Sequence, residues 1–199
     1  MKMSQAVANI FAGVNGAGKT TLYYNELELG KDLGYRINVN EIVSSFGDPK
    51  NAKDQVRASK IAIKMRENYI KYHKDFNQES TLCGKAILKL FEKLKEQDYQ
   101  IKLLYVGLES PSLAKQRVKI RVAKGGHHVN DETIEKRDYE SLRNLAKIAH
   151  LCDELIIFDN STKFQKVLEC KNRQIKIFLE LEWIKDLGVL NTLKQIQQT

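Results

Sequence analysis

The residues best suited to chemistry lie in one short stretch, Gly13-Val14-Asn15-Gly16-Ala17-Gly18-Lys19-Thr20, which satisfies G-x-x-x-x-G-K-[ST] at every position. The apolar run Val7 to Ala12 precedes it as a buried strand, and Thr21-Leu22-Tyr23-Tyr24 continues it as the start of a helix. A strand, a glycine-rich turn and a helix start form a phosphate cradle. The backbone N–H groups of Gly13, Asn15, Gly16, Ala17, Gly18, Lys19, Thr20 and Thr21 can turn toward phosphate oxygens, and the helix start adds its positive dipole end. Lys19 is expected to reach the β- and γ-phosphates of ATP, and the Thr20 hydroxyl to hold Mg²⁺.

A second set of residues could act on the same phosphates. Arg117 and Arg121 are four apart, with Lys124 three further on, so all three fall on one face of a helix. Such a stripe forks around phosphate oxygens and stabilises charge in phosphoryl transfer, or else it is simply a solvated basic face. Gly125-Gly126-His127-His128 follows it as the hinge of a mobile lid. The paired histidines have no Cys, Asp or Glu at ligand spacing, which weakens a metal reading.

The elements that must place these groups alternate. Tyr35 to Val39 reads as a short strand, Asn51 to Lys74 as a long amphipathic helix, and Asp75 to Thr81 as a strand. Lys85 to Gln97 reads as a helix, Ile101 to Val106 as a buried strand, and Pro111 to Gly125 as a helix opened by proline. Asp131 to Cys152 is a further helix, and Leu155 to Phe158 the last central strand. Phe164 to Phe178 suggests a hairpin turning near Asn172-Arg173, with Glu180 to Leu187 as a closing helix. The fold class that follows is α/β, a P-loop NTPase-type three-layer sandwich: a mostly parallel five-stranded sheet with helices on both faces and a small C-terminal appendage. Residues 1–163 form the expected core, with a lid at about 110–130, and residues 164–199 the appendage. Ligands in such sheets bind beyond the carboxyl ends of the strands, so Asn38 to Glu41, Glu79 to Thr81 and Asp159-Asn160 should converge on the phosphate loop.

Composition sets the remaining bounds. The chain of 199 residues is 42% hydrophobic and 29% charged, which suits one globular domain with a sizeable core. No apolar run reaches the length of a membrane span, and the first strand begins too near Met1 for a signal peptide, so the expected location is the cytoplasm. Cys83, Cys152 and Cys170 are too few and too scattered for a disulfide framework or zinc site, and are expected to be buried reduced thiols. The net charge of +8 could serve a polyanionic partner. Lysine is nonetheless spread over every helix without an arginine-rich tract, which disfavours nucleic acid as a partner.

Taken in order, these segments resemble the zeta toxin family of P-loop kinases. The resemblance is carried by Gly13 to Thr21, Ile37-Asn38-Val39-Asn40-Glu41-Ile42, Phe76-Asn77-Gln78-Glu79-Ser80-Thr81-Leu82, Arg117-Val118 and Arg121-Val122 with Gly125-Gly126-His127, Ser141-Leu142-Arg143-Asn144-Leu145, and Phe158-Asp159-Asn160-Ser161. It implies an ATP- and Mg²⁺-dependent kinase acting on the 3′-hydroxyl of the sugar in UDP-N-acetylglucosamine, or a related small acceptor. Asn38, Glu79, Ser80 and Thr81 would face that acceptor, with His127 and Arg137 beside it, and Arg117 and Arg121 would cover the transferred phosphate. Members of the family are commonly neutralised by a small helical antitoxin. One position departs from the pattern: Asn40 stands where the family usually has the Asp general base, so it can orient a hydroxyl but cannot take its proton. The resemblance therefore admits an attenuated kinase, or an ATP-binding protein that acts through a partner. A polynucleotide kinase is the reading the basic charge would favour.

Overall fold

A computed structural model describes residues 5–126, 128–185 and 188–198. Its single sheet has the strand order β2-β3-β1-β4-β5-β6-β7. The strands are β1 (Val7–Ala12), β2 (Tyr35–Ile37), β3 (Phe76–Ser80), β4 (Gln100–Gly107), β5 (Glu154–Asp159), β6 (Gln165–Lys171) and β7 (Gln174–Ile177). The first five are parallel, with β1 between β3 and β4; β6 and β7 add an antiparallel hairpin that widens the same sheet to seven strands. That hairpin turns on Asn172 and Arg173, both at positive φ (50° and 62°), the backbone a two-residue turn requires.

The helices are α1 (Lys19–Glu28), α2 (Val39–Ser44), α3 (Ala52–Lys71), α4 (Lys85–Glu96), α5 (Pro111–Ala123), α6 (Asp131–Ile148), α7 (Glu182–Lys185) and α8 (Val189–Gln198). Side chains alternating along the central strands build two cores. Ala8, Ile10, Ile101, Leu103, Tyr105, Leu155 and Ile157 pack against α3, α4, the C-terminal half of α6 and α8. Phe11, Leu104, Val106, Ile156 and Phe158 pack instead against α1 and α5. Strands buried on both faces explain their near-continuous apolar runs.

Three expectations change. The second strand stops at Ile37, and Val39 opens α2, because the Asn38 side chain caps that helix by accepting a hydrogen bond from the Asn40 backbone N–H at 2.9 Å. The helix after Asn130 ends at Ile148 and tightens into a 3₁₀ turn, Ala149–Leu151, before Cys152. The closing helix expected over Glu180 to Leu187 is the short α7, with residues 186–187 outside the described residues, and a further helix, α8, follows it. Of the three free thiols only Cys170 is fully buried; Cys83 and Cys152 are half-buried. Among the described residues no helix is long and apolar enough to cross a membrane.

Candidate active site

The carboxyl ends of β1, β2 and β3 meet the first turns of α1 and α2 and the inner face of α5 around a cleft of about 350 Å³. Asn15, Gly16, Gly18, Lys19, Thr20, Thr21, Asn38, Asn40, Glu79, Ser80, Thr81, Arg117 and Arg121 all line it. Gly13 and Ala17 lie in the loop behind it. Gly13 has φ +140°, and a Cβ there would sit 2.3 Å from the Val106 carbonyl oxygen, so the loop can follow this path only with glycine. Gly18, at φ +109°, starts α1 without a side-chain cap, and no acidic residue occupies the first turn. The orphan N–H groups of that turn therefore face the cleft with no competing anion of their own helix, an arrangement suited to phosphate.

Lys19 folds back over the loop, its Nζ donating to the carbonyls of Gly13 at 2.9 Å and Val14 at 3.1 Å. Burial lowers its pKa to about 8, against the opposing pull of Glu79. An incoming polyphosphate would supply the negative charge this ammonium lacks. Arg121 is likewise lowered by burial. Arg117 donates from Nη2 to the Ser161 carbonyl at 3.1 Å, and Asn160 donates from Nδ2 to the Ala17 carbonyl at 2.8 Å, so the turn after β5 grips both α5 and the phosphate loop. Lys124, the C-cap of α5, is exposed and outside the cleft. Arg137 projects from α6 to donate to the Asn15 side-chain oxygen at 2.9 Å, behind the cleft lining. His127 lies outside the described residues.

Glu79 is the hub of the cleft. Its Oε2 accepts from the Thr20 hydroxyl at 2.9 Å, and its Oε1 accepts from Asn38 Nδ2 at 3.0 Å and Arg36 Nη2 at 2.5 Å. Arg36, which sequence reasoning did not single out, also forks onto Glu41, donates to Asn77 Oδ1, and lies over the Tyr23 ring at 3.4 Å. Burial would lower its pKa, but the hydrogen bonds it donates to Glu41 and Glu79 outweigh that and raise it. The first turn of α2 swings Glu41 toward Arg36 and Asn38, and it is not part of the cleft wall.

The Thr20 hydroxyl and the Glu79 carboxylate, hydrogen-bonded at 2.9 Å, bring together two oxygens of the hard type that Mg²⁺ takes. Among the described residues no cluster of three His, Cys, Asp or Glu could hold a metal. Thr20 and Glu79 alone leave most positions of such an ion to water and phosphate, the usual state of protein-bound Mg²⁺.

No family model matches the chain. An uncharacterized protein of Haemophilus influenzae is 28% identical over 134 residues, which cover 67% of this chain and 93% of that protein. Among solved structures, the AvrRxo1-ORF1:AvrRxo1-ORF2 complex with sulphate ions superposes with a TM-score of 0.69 at 11% identity, covering 97% of this chain. The chain spans 64% of that neighbour's length. The same complex with ATP gives a TM-score of 0.65 at 11% identity, with coverage of 97% of this chain and 64% of that one. A structure of the PezAT chromosomal toxin-antitoxin system of Streptococcus pneumoniae gives 0.58 at 15% identity, over 100% of this chain and 90% of that one. The chain thus shares its fold with the AvrRxo1-ORF1:AvrRxo1-ORF2 and PezAT structures.

Proposed function

We propose that the protein is an ATP-dependent phosphotransferase acting on a hydroxyl of a small acceptor, with UDP-N-acetylglucosamine or a related UDP-sugar as the first candidate. The observation that carries this reading is the gathering of Lys19, Thr20, Glu79, Arg117 and Arg121 around one cleft at the carboxyl ends of the parallel strands. A purely structural P-loop would not need two arginines from a separate helix facing it. Lys19 and the first turn of α1 hold the β- and γ-phosphates. Thr20 and Glu79 hold Mg²⁺, which when bound neutralises charge on the phosphates.

Arg117 and Arg121 face the γ-phosphate from α5 and stabilise the charge that spreads over its oxygens during transfer. Asn38, Ser80 and Thr81 receive the acceptor, and Asn40 orients its hydroxyl. The new bond joins the acceptor oxygen to the γ-phosphorus. The bond to the bridging oxygen breaks with its electron pair leaving on ADP, and the hydroxyl proton departs to solvent, since Asn40 cannot take it. Arg137 supports the phosphate loop in this reading by holding Asn15. A small helical antitoxin that covers the cleft is the partner proposed, in line with the toxin-antitoxin assembly of the PezAT neighbour.

A second reading, ATP binding without efficient transfer, is favoured by Asn40 together with the engagement of Glu41 by Arg36 and Asn38. Mass spectrometry of UDP-sugars incubated with protein, Mg²⁺ and ATP separates the two. A gain of one phosphate that vanishes in Lys19→Ala is the expected result; ATP binding with no phosphorylated product on any acceptor supports the second reading.

A further inference from the structure

The C-terminal segment reaches the turn after β5, next to the phosphate loop, through a tryptophan. Trp183, on the short helix α7, lies flat against the end of β4: a Cβ on Gly107 would fall 2.1 Å from its ring, so the indole occupies the space that this glycine leaves. Its Nε1–H donates to Oδ1 of Asp159 at 3.2 Å. Asp159 is 3% exposed and sits at the last position of β5, where a buried carboxylate requires several donors. Ser161 supplies two of them, its hydroxyl to Oδ1 at 2.6 Å and its backbone N–H to Oδ2 at 3.2 Å. The Ser161 carbonyl in turn accepts from Arg117, and Asn160 between them donates to the Ala17 carbonyl of the phosphate loop.

We propose that Trp183 is a positioning residue for the nucleotide cleft: through Asp159 it fixes the turn that holds Arg117 on one side and the phosphate loop on the other. The inference rests on the nucleotide-binding reading above. The chemistry is that of a buried carboxylate shared between two elements. With the indole N–H in place, Asp159 has donors from both sides and the 159–161 turn has one conformation; without it, the carboxylate must find water or rotate, and Ser161 moves with it. By linkage, whatever the indole does to the cleft, an occupied cleft does to the indole.

Trp183 is the chain's single tryptophan, so its indole N–H gives one resolved signal in a ¹⁵N–¹H spectrum. Titration with Mg²⁺ and ATP should displace that signal along a binding curve fitted by the dissociation constant from calorimetry. Trp183→Phe, which keeps a ring over Gly107 but no donor, should weaken ATP binding about fivefold or more with an unchanged circular dichroism spectrum. Ser161→Ala, which removes a single hydroxyl and leaves the tryptophan in place, should at least halve the displacement, and it keeps the test open should the tryptophan variant not fold. An indole signal that stays still while calorimetry shows saturation overturns the inference alone, as does an unchanged displacement in Ser161→Ala. No calorimetric binding by the parent protein overturns the nucleotide reading and the inference with it.

Discussion

Lys19 carries a pH signature. Its ammonium has a pKa of about 8 in the unliganded cleft because burial disfavours the charged form, and a bound polyphosphate should raise it again. Above about pH 8 the free protein has lost that proton while the complex keeps it, so ATP affinity should fall as pH rises, with uptake of close to one proton per nucleotide near pH 9. Calorimetry in buffers of different ionisation enthalpy reads this directly; a proton count of zero would remove Lys19 from the phosphates. Arg36 makes a different prediction. It and Glu79 are 15% and 10% exposed, so Arg36→Met leaves a buried carboxylate without its countercharge, though still hydrogen-bonded to Thr20 and Asn38, and should cost about 3 kcal/mol in chemical denaturation. In a Glu79→Gln background the same change should cost far less; equal costs would refute the pairing. Asn40→Asp should raise transfer by about 10²- to 10⁴-fold with ATP affinity unchanged, the gain fading as pH falls toward the carboxyl pKa. Should parent and variant be equally slow on every acceptor while both bind ATP, a missing base is not what limits the protein. Lys19 and Thr20 could be picked out from the chain because the phosphate-loop motif fixes their spacing, and Asn40 because it departs from the pattern of the family the chain resembles. Arg36 could not, since an arginine in a short strand looks like an ordinary exposed charge until β3 places Glu79 beside it.

The helices flanking the cleft differ in how they are held. α6 is tied to the phosphate loop by Arg137 and Asn15 and to the loop before α4 by Glu140, whose carboxylate accepts from the Gly84 N–H at 3.0 Å. Next to Arg137, Asp138 is buried on the same helix, and desolvation raises its pKa to about 6. The folded state thus holds this proton more tightly than the unfolded chain, and the group's contribution to stability falls as pH rises from about 4 to about 6. Asp138→Asn should therefore stabilise the protein at pH 7.5 by on the order of 2 kcal/mol and leave it nearly unchanged at pH 4. Equal melting shifts at both pH values would show that the carboxylate is not the cause. Most elements were legible because their apolar periodicity is long: α3, α4 and α6 each run for twelve residues or more. α2 was not, because Tyr35 to Val39 alternates like a strand, whereas the Asn38 cap starts a helix at Val39. The C-terminal hairpin was legible from Asn172-Arg173, whereas α8 lies beyond the closing helix expected over Glu180 to Leu187.

Across the molecule, protection should follow strand order. β1, β4 and β5 have neighbours on both edges and side chains buried on both faces, so their amides should exchange last, whereas β2, three residues long at one edge, and β7 at the other should exchange first. Hydrogen exchange by mass spectrometry checks this, and early exchange of β1 would contradict the packing described. The strand–helix alternation announced a parallel sheet, but it could not announce that β6 and β7 would extend that sheet, since a hairpin carries no record of where it docks. The central place of β1 also bears on how the chain is made. During synthesis the segment Val7–Ala12 is translated before either of its neighbours, and its second neighbour, β4, follows only after roughly a hundred more residues. At ribosomal speeds this is a wait of roughly 5–20 s. Over that interval β3 is the one neighbour β1 can join, so its other edge and the phosphate loop attached to it stay open, which makes the nascent chain a natural client for a chaperone at the tunnel exit.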